Sequence, residues 1–353
     1  MKELLVSELA LCAGKVDTLI AQDSFPCAVT PEYLQKAMRY YPEAGGKRLR
    51  PAIMLWSAAA AGGDMEKVLS AAAALEVFHN WTLVHDDIID DDDVRRNKPT
   101  AHIVLSQAIP LEKSRQKKFG CDMAVLTGDL MQAWAFDLID KSQCSAVVKL
   151  KLSSELRQFG CIKLISGEAV DVEMSYCNVE DISEAELFAM QSGKTGALLH
   201  YAARAGWMAG CGEVSAWDSP EAAALGRFGD ALAIAFQLRD DYLGIFGKLE
   251  KFGKPIGSDL QESKATLLLI HALKNLDITG RKELQSLLGL PVYSAGDIEK
   301  ARELFRRSGS VDHLQQTIEQ KSNEAREALS VLPESRWKKL LETLTDYLIN
   351  RDK

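Results

Sequence analysis

Few residues interrupt the helical patterns of this chain. It has only 10 prolines in 353 residues, so long segments lie between helix breakers. Alanine-rich runs such as 70–74 and 196–205 have a high intrinsic helix propensity. No stretch of alternating β-branched residues indicates a strand. The sequence therefore predicts an all-α fold.

The breaks that do occur predict where helices begin and end. Gly62-Gly63 ends one helix, and Asp64 is a suitable N-cap for the next, which we expect over 65–93. Further helical segments are expected over 121–142, 145–167, 184–209, 220–246 and 297–350. No linker rich in Ser, Gly or Pro divides the chain, so residues 1–353 are predicted to form a single domain.

Charge and cysteine usage argue against several classes of protein. A net charge of −8 leaves no large basic face for nucleic acid, which is therefore not expected as a partner. The seven cysteines contain no C-x-x-C pair, a pattern typical of free thiols in a reducing compartment. We expect a cytoplasmic protein, because neither a signal peptide nor a membrane-spanning segment is recognisable.

An apolar helical segment stops abruptly at a run of carboxylates. The sequence 85–90, His-Asp-Asp-Ile-Ile-Asp, is followed directly by three more aspartates and then by Arg95-Arg96. Carboxylate oxygens are hard ligands suited to Mg²⁺, and arginines suit phosphate oxygens. At about 100° per residue, Asp86 and Asp90 share one helical face a single turn apart, where both could reach the same metal ions. The alternative is a solvated acidic helix end, the usual role of a charge run.

A second acidic pair repeats this pattern. Asp240-Asp241 again ends an apolar helical segment and is followed by Lys254-Pro255, as Lys98-Pro99 follows the first cluster. The repeat makes a solvated helix end a poor explanation. Two acidic helix ends facing each other across a groove would hold several Mg²⁺ ions that bridge to diphosphate oxygens. The expected ligand is an apolar chain that ends in a diphosphate.

Five segments with specific residues occur in order along nearly the whole chain. They are the basic segment 45–51, the acidic segment 85–102 with its trailing basic residues, Lys194-Thr195-Gly196, the second acidic segment 236–241, and 253–260. Together they resemble the motifs of the trans-isoprenyl diphosphate synthases, the polyprenyl synthetase family. The resemblance implies an all-α bundle around a deep central cavity, and a head-to-tail condensation of isopentenyl diphosphate with dimethylallyl, geranyl or farnesyl diphosphate.

The resemblance also implies which residues bind the two diphosphates. Isopentenyl diphosphate would be bound without metal, through charge-assisted hydrogen bonds, by Lys47, Arg50, His79 and Arg96. The allylic diphosphate would be contacted by Arg95, Lys194 and Lys254. The alternatives are a solvated loop for Lys47 and Arg50, and an ordinary helix histidine for His79.

The metal ligands implied by the resemblance are the leading aspartates of the two acidic motifs. Asp86 and Asp90 would hold two Mg²⁺ ions and Asp240 a third, with Asp87 and Asp241 as supplementary ligands or hydrogen-bond acceptors. Gly244 stands where a full second motif would have a third aspartate, which weakens one metal contact without removing a site.

The implied reaction begins with ionisation of the allylic diphosphate. Mg²⁺ and cationic side chains stabilise the charge on the departing pyrophosphate, while apolar helices keep water away from the carbocation. Oxygens of Lys194, Thr195 and Gln237 would stabilise that cation. The isopentenyl double bond then attacks, and the released pyrophosphate takes the proton, so no side-chain base is required.

Product length should depend on the side chains below the first acidic motif. A rise of about 1.5 Å per residue puts Trp81 roughly 7 Å below Asp86, with Phe78 nearly one turn deeper. Trp81 resembles the aromatic residue at the same place in synthases with short products, whereas the small Thr82 argues against a doubly aromatic floor. Products of fifteen or twenty carbons are expected, with twenty preferred. If Trp81 only packs in the helix core, the length stays open.

Two other classes compete with this interpretation. A terpene cyclase would not need the basic segment 45–51 or the pair Arg95-Arg96, both of which suit a second diphosphate. A non-catalytic regulatory subunit of a heteromeric synthase would typically lack one or both acidic motifs, and here both keep their leading Asp pair. The resemblance further implies a homodimer, with which the apolar region 121–140 is compatible.

Overall fold

Helices account for most of the chain. The computed structural model describes residues 1–247 and 257–350, and its helical content of 79% confirms the all-α prediction. The first nine α-helices are α1 (Lys2–Gln22), α2 (Glu32–Glu43), α3 (Leu49–Ala60), α4 (Met65–Ile89), α5 (Ala101–Leu105), α6 (Lys113–Asp140), α7 (Ala146–Leu156), α8 (Ile165–Ser175) and α9 (Glu184–Gln191). The others in the described residues are α10 (Ala197–Cys211), α11 (Pro220–Phe246), α12 (Ser258–Gln261), α13 (Leu267–Asn275), α14 (Ile278–Gln285), α15 (Ala295–Arg307), α16 (Ser310–Leu329) and α17 (Arg336–Ile349).

Some helix boundaries differ from those expected. The segment 220–246 is confirmed as α11, but the segment expected at 145–167 is divided between α7, a π-helical stretch at Arg157–Leu164, and α8. A second π-helical turn, Ser192–Gly196, interrupts the segment 184–209. The periodicity of apolar residues does not separate α from π turns, because one extra residue per turn shifts the pattern only locally.

Contacts between Cα atoms divide the chain into two compact units. Unit 1 comprises Met1–Arg157, Tyr201–Ala223 and Leu332–Leu341. Unit 2 comprises the described residues of Gln158–His200, Ala224–Val331 and Glu342–Lys353. The single domain and the deep central cavity stay predictions.

In unit 1, α4 lies between α3 and α6 and is buried along most of its length. The side chains of Trp56, Phe78 and Trp134 on these helices are fully buried, and Phe78 packs edge-on against Phe136 of α6 with ring centroids 6.5 Å apart. Gly206 allows the backbone of α10 to pack directly on α3, because a Cβ there would overlap the carbonyl oxygen of Met54. The apolar faces of long helices thus fix α4, whose C-terminal end carries the first acidic motif.

In unit 2, α13 is the centre of a second apolar core. Its Leu267 and Leu268 are fully buried among residues of α15 and α16, including Phe305 and Leu314. The same cluster includes Leu238 of α11, so the helix that carries the second acidic motif is anchored in this core. Among the helices of residues 1–247 and 257–350, none combines the length and the apolar composition that crossing a membrane requires.

Candidate active site

The first acidic motif lies where α4 ends. The helix stops at Ile89, four residues before the expected end at Asp93, because Asp91 has a left-handed backbone with φ +54°. The N–H of Asp92 donates to the carbonyl of Asp87 at 3.0 Å, the reverse hydrogen bond that closes a helix C-terminus. Asp86 lies in the last turn and Asp90 at the C-cap, with the N–H of Asp90 bonded to the Asp86 carbonyl at 2.8 Å. The two predicted metal ligands are therefore one turn apart, as expected.

Asp87 is buried within unit 1 and occupied by protein donors. Arg95 Nε donates to its Oδ1 at 2.6 Å, and the Tyr41 hydroxyl donates to its Oδ2. The same Tyr41 oxygen accepts the backbone N–H of Ala101 at 3.0 Å. Burial raises the pKa of Asp87, although Arg95 and Tyr41 act in the opposite direction. These contacts favour the predicted role of hydrogen-bond acceptor for Asp87 over that of metal ligand.

The basic residues after this motif lie on a short hairpin. Strands β1 (Val94–Arg95) and β2 (Lys98–Pro99) pair antiparallel, and both residues of the turn, Arg96 and Asn97, have positive φ angles of 52° and 61°. Such a two-residue turn matches the natural twist of a hairpin. The sequence did not indicate this hairpin, because segments of two residues are too short to show strand periodicity. The hairpin places Arg95 against Asp87, while Arg96 Nη1 donates to the Gly45 carbonyl at 2.6 Å.

The basic segment 45–51 contains residues with two different tasks. Arg48 is 2% exposed and has a left-handed backbone, with its guanidinium 2.7 Å from both Asp17 and Glu76. It is a structural residue, which the sequence pattern did not distinguish from its neighbours. Lys47 is exposed and remains a candidate for diphosphate binding.

Positive charge is concentrated around His79, in the middle of α4. Burial, followed by the charges of Arg50, Arg96 and Arg95, holds the pKa of His79 well below its usual range, so the ring is neutral at pH 7. Burial also lowers the pKa of Arg50, whose Nε is buried without a hydrogen-bond partner. The structure therefore brings together four residues predicted to bind diphosphate, and leaves a buried donor for which an anion would be a suitable partner.

Below the first acidic motif, aromatic side chains form a continuous stack. Phe78 packs edge-on against Trp81 with ring centroids 4.6 Å apart, and Trp81 packs against His85 at 5.8 Å. Gly128 of α6 faces His85 so closely that a Cβ would overlap the imidazole. Trp81 is 5% exposed, and the neighbouring Thr82 hydroxyl donates to the His79 carbonyl at 2.8 Å. The three predicted floor residues are thus buried, and His85 joins the stack; their role as a floor stays a prediction.

In unit 2, Lys194 lies in the π-helical turn Ser192–Gly196. Its ammonium donates to Asp171 Oδ2 at 2.6 Å and lies 2.8 Å from Glu168 Oε2. Thr195, the neighbouring predicted residue, is partly buried in the same turn. Sequence reasoning missed Glu168 and Asp171, and their positions in the Gly-Glu-x-x-Asp pattern of α8 were the only available signal.

The second acidic motif lies in the last turns of α11. Gln237 Nε2 donates to Asp241 Oδ1 at 3.0 Å, and Asp240 is partly exposed. Burial and the nearby charge of Asp259 raise the pKa of Asp241 to about 8. Gly244 faces Asp259, whose Oδ2 would lie 3.1 Å from a Cβ at that position.

Lys264 interacts electrostatically both with Asp171 of α8 and with Asp241 of the second acidic motif. Burial opposes the charged form of Lys264, but the charges of Asp171, Asp259 and Asp241 raise its pKa, and Lys194 is close enough to lower it. Lys264 was not among the predicted site residues, because it lies beyond the recognised motifs. Lys254, which was predicted to contact the allylic diphosphate, lies outside the described residues.

The carboxylates of both motifs fit Mg²⁺. Within residues 1–247 and 257–350, no three His, Cys, Asp or Glu side chains come close enough to hold a metal ion on their own. Mg²⁺ does not require such a cage, because it is usually held by one or two carboxylates together with water and substrate phosphates. The pair Asp86 and Asp90, and the partly exposed Asp240, provide the hard oxygen donors for this type of site.

Known proteins with similar sequences support one family. A family model described as polyprenyl synthetase matches residues 31–305. The geranylgeranyl diphosphate synthase of Methanosarcina mazei is 34% identical over 351 residues, which cover 99% of this chain and 98% of the relative. The geranylfarnesyl diphosphate synthase of Aeropyrum pernix is 36% identical over 337 residues, which cover 92% of this chain and 96% of the relative.

Solved structures agree with these sequence relatives. The geranylgeranyl pyrophosphate synthetase of Pyrococcus horikoshii superposes with a TM-score of 0.86 at 32% identity, over 99% of both chains. The geranylgeranyl pyrophosphate synthase of Corynebacterium glutamicum, solved with isoprenyl diphosphate and magnesium, gives a TM-score of 0.83 at 28% identity, over 98% of this chain and 99% of that one. The fold is the all-α isoprenoid synthase fold.

Proposed function

Since the chain belongs to the polyprenyl synthetase family, whose members are prenyltransferases, we propose that it condenses isopentenyl diphosphate head-to-tail with an allylic diphosphate to give a short all-trans prenyl diphosphate. One observation carries this proposal beyond family membership. The cationic cluster around His79 lies on the same helix as the first acidic motif, and Arg95 interacts with both. A metal-free diphosphate site thus adjoins the carboxylates, which a synthase with two diphosphate substrates needs and a cyclase does not.

Three Mg²⁺ ions are the proposed cofactors, two of them held by Asp86 and Asp90 and one by Asp240. When bound, Mg²⁺ would act as a Lewis acid that stabilises negative charge on the leaving pyrophosphate. The support is the donor chemistry described above, together with the magnesium named for the Corynebacterium glutamicum structure.

The side chains of this protein would position the diphosphates. Arg50, His79, Arg96 and Lys47 bind isopentenyl diphosphate. Arg95, fixed by Asp87, together with Lys194 and Lys254, contacts the allylic diphosphate. Charge-assisted hydrogen bonds of this kind stabilise the departing pyrophosphate most when the donors are already in place. Asp87 contributes by holding the Arg95 guanidinium before the substrate arrives.

After ionisation, the protein must stabilise a carbocation and exclude water. The carbonyl oxygens of Lys194 and Thr195 and the side-chain oxygen of Gln237 are the proposed stabilising groups. The hydrogen bond from Gln237 Nε2 to Asp241 fixes the orientation of that amide. The isopentenyl double bond attacks the cation, and the proton lost from the new intermediate passes to pyrophosphate.

The proposed product has twenty carbons, and Trp81 forms the floor that stops elongation. Products of fifteen carbons were predicted as well, and a product of twenty-five is a further candidate because the Aeropyrum pernix relative is a geranylfarnesyl diphosphate synthase. The buried stack of Phe78, Trp81 and His85 supports a short product, since it fills the space along α4 below Asp86.

The experiment is a product assay with Mg²⁺, isopentenyl diphosphate and, separately, dimethylallyl, geranyl and farnesyl diphosphate. We expect wild type to stop at twenty carbons and Trp81→Ala to make longer chains, because the substitution removes the indole from the floor. If the products of Trp81→Ala have the same chain length as those of wild type, the proposed reaction is still supported, but other residues such as Phe78 form the floor. Absence of condensation with every starter, in folded protein, would refute the enzyme and favour the regulatory subunit.

The assembly and the location are proposals as well. We propose a homodimer that uses the outer faces of α6 and α7, where apolar side chains are exposed: Val125, Leu126, Val147 and Leu150. A cytoplasmic location is proposed from the seven cysteines, none of which forms a disulfide bond within the described residues.

A further inference from the structure

The hydroxyl of Tyr41, in the last turn of α2, is held from two sides. It donates its proton to Asp87 Oδ2, and its oxygen accepts the backbone N–H of Ala101 at 3.0 Å. Because the Ala101 N–H fixes the direction of one lone pair, the hydroxyl hydrogen stays directed at the carboxylate. Burial, together with the Asp87 carboxylate, raises the pKa of Tyr41, so the hydroxyl keeps its proton and remains a donor.

The two oxygens of Asp87 therefore have different partners. Oδ2 accepts from Tyr41, while Arg95 Nε donates to Oδ1 at 2.6 Å and Arg95 Nη2 lies 2.6 Å from that same oxygen. An arginine beside a carboxylate frequently forms a bidentate pair instead, with one nitrogen on each oxygen. Here Tyr41 occupies the oxygen that the second nitrogen would use. Since Asp87 is fully buried, bulk water does not compete with these donors.

The contact with a single oxygen determines which way the Arg95 guanidinium faces. In a bidentate pair, Nη2 would move from Oδ1 to Oδ2, which turns the plane of the guanidinium about Oδ1. That rotation would redirect the other N–H groups, which are the ones that can reach a phosphate oxygen. The side chain of Arg95 is 22% exposed, so the protein does not enclose it completely.

We propose that the Tyr41 hydroxyl sets the orientation of Arg95 toward the allylic diphosphate, by keeping Asp87 Oδ2 from pairing with that guanidinium. This inference rests on the proposed function, in which Arg95 contacts the allylic diphosphate. Tyr41 is thus a positioning residue that acts through Asp87 and Arg95. A donor that is already oriented before the substrate arrives stabilises the departing pyrophosphate most effectively.

The test compares two neighbouring tyrosines by steady-state kinetics with Mg²⁺. Tyr41→Phe removes the hydroxyl from Asp87 and keeps the buried ring. Tyr40→Phe is the matched control, since it removes a hydroxyl that donates to the backbone carbonyl of Pro99 at 2.8 Å. For each variant, the KM for geranyl diphosphate and the KM for isopentenyl diphosphate are measured separately.

We expect Tyr41→Phe to raise the KM for geranyl diphosphate about tenfold, because that is the usual effect of losing a well-placed charge-assisted hydrogen bond. The KM for isopentenyl diphosphate should stay within about twofold of wild type, and Tyr40→Phe should leave both constants within that range. A general loss of packing would reduce the amount of active enzyme and so lower kcat. It would not separate the two Michaelis constants.

A second measurement tests whether Tyr41 acts through Arg95. Lysine at position 95 would be a point charge without a planar set of donors, so the occupancy of Asp87 Oδ2 could not orient it in the same way. Adding Tyr41→Phe to Arg95→Lys should therefore change the KM for geranyl diphosphate by less than about twofold.

Three results would overturn the proposal. If Tyr41→Phe leaves the KM for geranyl diphosphate unchanged, or raises both Michaelis constants equally, Tyr41 does not position the allylic substrate's cation. If the tenfold effect persists in the Arg95→Lys background, Tyr41 does not act through Arg95. In both cases the synthase function stands. If wild type condenses no substrates, the proposed function itself fails and the inference fails with it.

Discussion

At the scale of single residues, similar side chains in one motif perform different tasks. Arg48 is buried against Glu76 and Asp17, whereas Lys47 beside it is exposed. The sequence Gly-Gly-Lys-Arg-Leu-Arg indicates basic chemistry but not which side chain turns inward. That choice depends on Glu76, which approaches only after the chain has folded, so it could not be predicted from the motif.

A matched pair of variants separates these tasks. Arg48→Met should lower the free energy of unfolding by about 3–5 kcal/mol, because it leaves the buried Glu76 carboxylate without its partner. Lys47→Met should leave stability within about 0.5 kcal/mol of wild type but raise the KM for isopentenyl diphosphate. Denaturant unfolding and steady-state kinetics measure the two effects. An equal loss of stability in both variants would contradict the assignment of a structural role to Arg48 and a binding role to Lys47.

At the scale of elements, the sequence predicted most helices and both acidic motifs. The all-α class, the helix 220–246, and the spacing of Asp86 and Asp90 followed from periodicity and helical geometry. The hairpin at 94–99 and the end of α4 were not predicted. Asp91 adopts a left-handed conformation that the sequence does not require, because an aspartate is compatible both with a helix end and with a solvated helical turn.

The end of α4 offers a test of this backbone conformation. Asp91→Gly should be more stable than Asp91→Ala by about 1 kcal/mol, because glycine adopts φ +54° without strain while alanine does not. Both variants lose the same exposed ion pair with Lys117, so that contact cancels in the comparison. Thermal unfolding of the two proteins gives the difference. An alanine variant as stable as the glycine variant would show that the left-handed conformation is not kept in solution.

At the scale of the whole molecule, the question is which exposed apolar residues belong to the proposed dimer interface. Leu150 of α7 is 69% exposed and Ile278 of α14 is 76% exposed, although only the first lies on the proposed dimer face. Composition alone does not distinguish the two, since single exposed apolar residues are common on protein surfaces. Leu150 differs from Ile278 because a second exposed apolar side chain, Val147, lies one turn before it on the same helix.

The different surroundings of Leu150 and Ile278 predict different effects of a charged substitution on dimer formation. Leu150→Asp should shift the protein from dimer to monomer in light scattering coupled to size-exclusion chromatography, because a charge in an apolar interface is costly to bury. Ile278→Asp should leave the mass unchanged. A monomeric wild type, or the same shift in both variants, would rule out the proposed interface.

The π-helical turn at Ser192–Gly196 makes the orientation of Lys194 depend on the number of residues before it. A π turn contains one residue more than an α turn, and each residue rotates the helix by about 100°. Deleting one residue from this turn would restore a regular α-helix and rotate one flanking segment against the other by about that angle. Lys194 could then keep its contact with α8 only if α10 lost its packing. Insertions and deletions that a surface loop would tolerate are therefore forbidden here, in the interior of a long helical segment.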